Sequence, residues 1–117
     1  MASSSSPKPK EPTVSLIPGA TPASATFVIS AEDHTLGNAL RYAIQRNPAV
    51  GFCGYSVPHP SEEIINMRVQ AGGPGGAEAA FRRGLADLAE IVDHVKATFI
   101  DALEVSDNIE DSAILSR

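Results

Sequence analysis

The 117-residue chain has no tryptophan, one cysteine, three histidines and only 5% aromatic residues. The lone cysteine, Cys53, excludes an internal disulfide framework. With His34, His59 and His94 far apart, the common zinc-cluster spacings are excluded too. Nowhere do about 18 apolar residues follow one another, so no membrane span is expected. The start, Met1 to Pro12, is rich in Ser, Pro and Lys and carries no apolar stretch of the kind a secretory signal needs. Positive charge is also scarce. Nine Lys and Arg face fourteen Asp and Glu, for a net charge of −5, which argues against holding nucleic acid by phosphate neutralisation. Solenoid-spaced repeats are absent. These absences describe an intracellular, metal-free domain with no cofactor.

What the chain does contain is enough apolar material, 43%, for one core at this length. Residues 1–12 lack the apolar groups to offset ordering entropy and are expected to be a disordered tail. Residues 13–105 form the domain. Residues 106–117 form an acidic tail, either frayed or weakly docked, with fraying favoured. Within the domain the pattern runs strand, strand, helix, strand, strand, helix. Thr13–Ile17 and Ala25–Ser30 flank a Pro18-Gly19 turn. Leu36, Ala39, Leu40, Ala43 and Ile44 then fall at helical spacing, capped by Asp33 or Thr35 and ended by Pro48. Val50–Val57 reads as a strand with Val50 and Phe52 on one face and Cys53, Tyr55 and Val57 on the other, which predicts a bulge near Cys53-Gly54. Ile65, Met67 and Val69 alternate cleanly with Asn66, Arg68 and Gln70. Gly72 to Gly76 is expected to be a flexible connector.

The last helix, from about Ala77 to Glu104, repeats Phe81, Leu85, Leu88, Val92, Val95 and Phe99 at alternating steps of four and three. These residues lie in one narrow arc, widened by Ile91 and Ile100. Such a helix is about 40 Å long. A compact domain of this size is about 34 Å across, and strands of about 17–20 Å cannot cover the whole stripe. Leaving Val95, Phe99 and Ile100 wet forfeits about 1.5–3 kcal/mol each. A partner protein is the expected cover; the alternative is the C-terminal tail folding back.

Candidate chemistry is thin. Cys–His catalysis with Cys53 and His34 or His59 requires thiol and imidazole within hydrogen-bond reach, and nothing in the spacing brings them together. A free cysteine in a strand ordinarily packs as a small apolar residue. His59 reads as a turn residue, and His94 as solvated. Gly72–Gly76 lacks the Lys and Ser/Thr of a phosphate-binding loop. The segment from Asp33 to Arg41 stands apart. Gly37 in a first helical turn costs roughly 0.5–1 kcal/mol against Ala, which signals a close approach by another group. Asn38 and Arg41 project from one side, away from Leu36 and Leu40. Beside an over-long apolar helix, this looks like a docking surface; the alternative is that Gly37 packs only on its own sheet.

His34-Thr35-Leu36-Gly37-Asn38-Ala39-Leu40-Arg41 resembles the alpha motif of RNA polymerase subunits, shared by the bacterial alpha amino-terminal domain and its archaeal and eukaryotic relatives. The resemblance continues through Asn47-Pro48, Phe52-Cys53-Gly54-Tyr55, His59-Pro60-Ser61-Glu62, Asn66-Met67-Arg68-Val69-Gln70 and Gly84-Leu85-Ala86-Asp87-Leu88, covering about residues 25–104. The Phe-Cys-Gly-Tyr stretch and Arg68-Val69-Gln70 are most similar to the small alpha-like branch serving polymerases I and III, with the polymerase II and archaeal branches as alternatives. The resemblance implies an α+β fold: a two-layer α/β sandwich with a four-stranded, mainly antiparallel sheet and a long C-terminal dimerisation helix. It implies no catalytic, metal or cofactor residue. It also implies a heterodimer with a larger alpha-like subunit, a nuclear platform for the large polymerase subunits. The implied contacts are His34, Thr35, Leu36, Gly37, Asn38, Leu40 and Arg41 in the motif and Phe81, Leu85, Leu88, Val92, Val95 and Phe99 in the last helix. The Gly/Pro connector and the Ser-rich start depart from the family pattern.

Overall fold

The structure, a computed structural model, describes the backbone of residues 11–115 and the side chains of residues 11–109. The expected tail at 1–12 therefore lies outside the described residues, apart from Glu11 and Pro12. Period-two alternation places the sheet. In β2 (Ser24–Ser30), Ala25, Phe27 and Ile29 point inward, and in β4 (Ile64–Ala71) Ile65, Met67, Val69 and Ala71 do the same. β1 (Val14–Leu16) and β3 (Val50–Ser56) complete an antiparallel sheet in the order β1-β2-β4-β3, so the alternating strands β2 and β4 occupy the centre.

β3 differs from expectation in one respect. Its register shifts between Val50 and Phe52, not at Cys53-Gly54. Val50 pairs with the buried Ala71 and Phe52 with the outward Gln70, so these two residues do not share a face. The extra residue, Gly51, lets Cys53 enter the core beside Met67 while Phe52 stays 48% exposed.

Helix α1 (His34–Gln45) starts where the Asp33 carboxylate accepts from the Thr35 N–H at 2.9 Å. It ends at Asn47-Pro48, where the buried Asn47 side chain accepts from the Ala49 N–H at 3.0 Å. Leu40, Ala43 and Ile44 are fully buried, and the Gln45 amide donates to the Cys53 carbonyl at 3.1 Å, tying α1 to β3.

The glycines that follow β4 form a pinned turn, not a loose connector. Gly73, Gly75 and Gly76 take φ values of +85°, +79° and +60°, a region open to glycine, and a side chain at Gly76 would run into the Pro22 backbone. The Ala77 N–H then donates to the Pro22 carbonyl at 2.8 Å.

Helix α2 spans Gly76–Leu115, past the expected end near Glu104. Nothing between Glu104 and Leu115 is Gly or Pro, so no residue there breaks the helix. Residues up to Leu85 belong to one compact unit, and those from Ala86 onward form a second. In the first unit, the Phe81 ring stacks on Phe27 at 4.0 Å, and Gly84 sits so close to Ile44 that a side chain there would collide with it.

Candidate functional site

The alpha-motif residues divide into two sets once α1 packs on the sheet. His34, Thr35 and Asn38 are exposed, and Leu36 and Arg41 are half-buried. Gly37 and Leu40 are buried. The close approach signalled by Gly37 comes from the chain itself: a Cβ there would lie 2.8 Å from the Tyr55 ring of β3. The same tyrosine holds His34, its hydroxyl lying 3.0 Å from Nδ1 with the rings edge-on at 5.5 Å. Gly37 and Leu40 thus pack in the chain's own core. Asn38 and Arg41 do share a side, the guanidinium donating to the Asn38 carbonyl oxygen at 3.3 Å.

This outer face of α1 carries a residue that the sequence reading missed. Tyr42 is 61% exposed, and the Arg46 guanidinium stands 5.9 Å from its ring centre. The signal was available: Asn38, Tyr42 and Arg46 recur every four residues, on the side opposite the buried Ala43 and Ile44.

The stripe on α2 divides as well. Phe81 is 3% exposed and stacked on Phe27, so it packs in the chain's own core. Leu85 is part-exposed at 39% and Leu88 half-buried, whereas Val92, Val95 and Phe99 are 56–62% exposed. Ile100, Leu103, Val105 and Ile109 are exposed too. Val105 and Ile109 lie beyond the expected helix end near Glu104; Leu103 lies within it but outside the stripe named from the spacing. Of these, Leu85, Leu88, Val92, Val95 and Phe99 keep the alternating three- and four-residue spacing on one helix face, a stripe of the kind another helix packs on.

No catalytic chemistry gathers around Cys53. Burial beside Met67 pushes its thiol up to about 11, against a smaller opposing influence of the Arg41 charge. A nucleophilic cysteine needs the reverse shift. His59 lies in the exposed β3–β4 turn, its carbonyl accepting from the Glu62 N–H. No helix among the described residues is long and apolar enough to cross a membrane.

An aromatic-arginine helix face and an exposed apolar helical stripe on an α+β domain are the surface chemistry found at protein–protein interfaces. Known proteins place the chain more closely. Residues 24–98 match the family model of the RNA polymerase Rpb3/Rpb11 dimerisation domain, and the chain belongs to that family. It is 52% identical over 81 residues to the Saccharomyces cerevisiae protein named DNA-directed RNA polymerases I and III subunit RPAC2, covering 69% of this chain and 57% of that one. The Danio rerio protein of the same name is 48% identical, covering 69% of this chain and 72% of its own. The chain spans 57% of the length of the Saccharomyces cerevisiae relative and 64% of that of the Schizosaccharomyces pombe protein of the same name, which is 51% identical. The fold is that of DNA-directed RNA polymerase subunit L from Thermoplasma acidophilum, at TM-score 0.68 and 19% identity, covering 81% of this chain and 92% of that one.

Proposed function

We propose that this chain is a non-catalytic assembly subunit of nuclear RNA polymerases I and III. It pairs with a larger alpha-like subunit, and the pair forms a platform for the two large catalytic subunits, in support of rRNA, 5S rRNA and tRNA transcription. The observation that carries the reading is the exposed seam Val92-Val95-Phe99 in a helix that continues unbroken to Leu115. A helix that runs unbroken to Leu115 gives that segment no turn by which to fold back over the stripe, which supports a cover supplied by another chain. The contact residues of this reading are His34, Thr35, Leu36, Asn38 and Arg41, together with the neighbouring Tyr42, on α1, and Leu85, Leu88, Val92, Val95 and Phe99 on α2. Kinship supports the choice of polymerase, because relatives at 46–52% identity are named as subunits shared by polymerases I and III. Residence in the nucleus and nucleolus, after assembly in the cytoplasm, belongs to the same proposal.

Co-expression with the larger alpha-like subunit is expected to give a one-to-one heterodimer by light scattering, whereas the chain alone self-associates. A monodisperse monomer that gains nothing from the partner would overturn the reading.

A further inference from the structure

The face of the sheet turned away from α1 is built from Ser15 in β1, Ser24, Thr26, Val28 and Ser30 in β2, the outward residues of β4, and Phe52, Gly54 and Ser56 in β3. Most of these side chains are short and uncharged. Among the residues of this face only Arg68, at the centre of β4, is charged, in a chain where acidic residues outnumber basic ones by fourteen to nine. Arg68 is exposed, and of the arginines described it is the one with neither a hydrogen-bond nor an ion-pair partner nor an aromatic ring beneath it. Beside it the Ile17–Thr21 turn folds over Thr26 to leave a pocket of about 240 Å³ with Arg68 in its wall. On the other side the 48%-exposed Phe52 ring lies against Gly54, whose cross-strand partner is Arg68.

An aromatic ring next to an unpaired guanidinium on a flat bed of Ser, Thr and Gly is the composition of a protein-binding hot spot. We infer that this outer sheet face is a second docking surface, separate from the helices, and that it takes an acidic segment of another polymerase subunit. Arg68 pairs with a carboxylate, in the fork geometry a guanidinium offers. Phe52 covers an apolar side chain of the same segment. Phe52 pairs with Gln70, two residues from Arg68, so the two groups sit at a diagonal separation of about 7–8 Å. Residues i and i+2 of an extended chain are about 7 Å apart, so the occupant carries its carboxylate two positions from its apolar residue. A phosphate backbone fits less well, because it supplies no apolar group for Phe52 and meets a protein of net charge −5.

The inference rests on the chain residing in a polymerase, and the test separates the two. The tagged full chain carries the photo-cross-linker p-benzoylphenylalanine in place of Phe52, is expressed in its native cells, and is irradiated in the purified polymerase. The expected result is one dominant adduct on a polymerase subunit, at an extended stretch with Asp or Glu two positions from an apolar residue. Arg68→Glu is expected to lower adduct yield about tenfold, equivalent to about 1.4 kcal/mol, and Arg68→Lys less, while the larger alpha-like subunit still co-purifies. An adduct on nucleic acid, an adduct on a segment without a carboxylate, no adduct, or a yield indifferent to Arg68→Glu each overturns the inference and leaves the assembly reading standing. Loss of the alpha-like subunit with Arg68→Glu overturns the separateness of this face. A chain that enters no polymerase overturns both.

Discussion

Two glycines and a cysteine show how single residues are tied to the fold. Gly37 and Gly84 each sit within a helix, where glycine is unfavourable by about 0.5–1 kcal/mol, and each admits a neighbour a methyl group would displace: Tyr55 in one case and Ile44 in the other. Gly37→Ala is expected to lower stability by about 1–3 kcal/mol, read as a drop in Tm, because the Tyr55 ring must give way. Tyr55→Phe keeps the ring and loses only the hydroxyl partner of His34, so its expected cost is about 0.5–1.5 kcal/mol. Cys53 tests burial directly. With its thiol pushed up to about 11 from 9.0, the thiolate fraction at pH 8 falls about a hundredfold, so alkylation of the native chain is expected to be slower than that of the urea-unfolded chain by at least that factor. The sign follows for stability as well. The raised value favours the native state fully below pH 9, and that contribution is lost as pH climbs toward 11, which a series of urea melts across this window would register.

At the scale of elements, the last helix separates two roles that one heptad pattern runs together. Phe81 belongs to the core of the first unit, whereas Val95 and Phe99 are open along the second. Phe81→Asp is expected to unfold the domain, since a charge would replace a ring stacked on Phe27. Val95→Asp and Leu88→Asp are expected to leave the circular-dichroism spectrum and sheet intact while abolishing capture of the larger alpha-like subunit, through an unpaired charge placed in the seam. Equal capture by both variants would move the interface elsewhere. Both helices were legible from their spacing, as was the stop before Pro48, because these depend on neighbours a few residues away; the cap was narrowed to Asp33 or Thr35, and packing gives it to Asp33. The division of the last helix's stripe was not. Phe81 and Phe99 lie about five turns apart on the same helix face, and what distinguishes them is Phe27, a strand residue far off in sequence.

At the scale of the whole molecule, a −5 chain with an open apolar seam is expected to stay soluble only with its partner or by pairing with itself. Sedimentation of the isolated chain should therefore show concentration-dependent association, reversed by adding the larger alpha-like subunit.

Element types, their order and the family signature in His34–Arg41 were determined by the sequence alone, because helix and strand periodicity and capping are short-range properties. The sheet order β1-β2-β4-β3 belongs to the tertiary structure. So do the bulge at Gly51, the pinned glycine turn on Pro22, and the assignment of Gly37, Leu40 and Phe81 to the interior. Each of these depends on which distant strand or ring arrives at a given residue. Apolar character says only that a side chain seeks cover, and packing alone decides whether its own chain provides it.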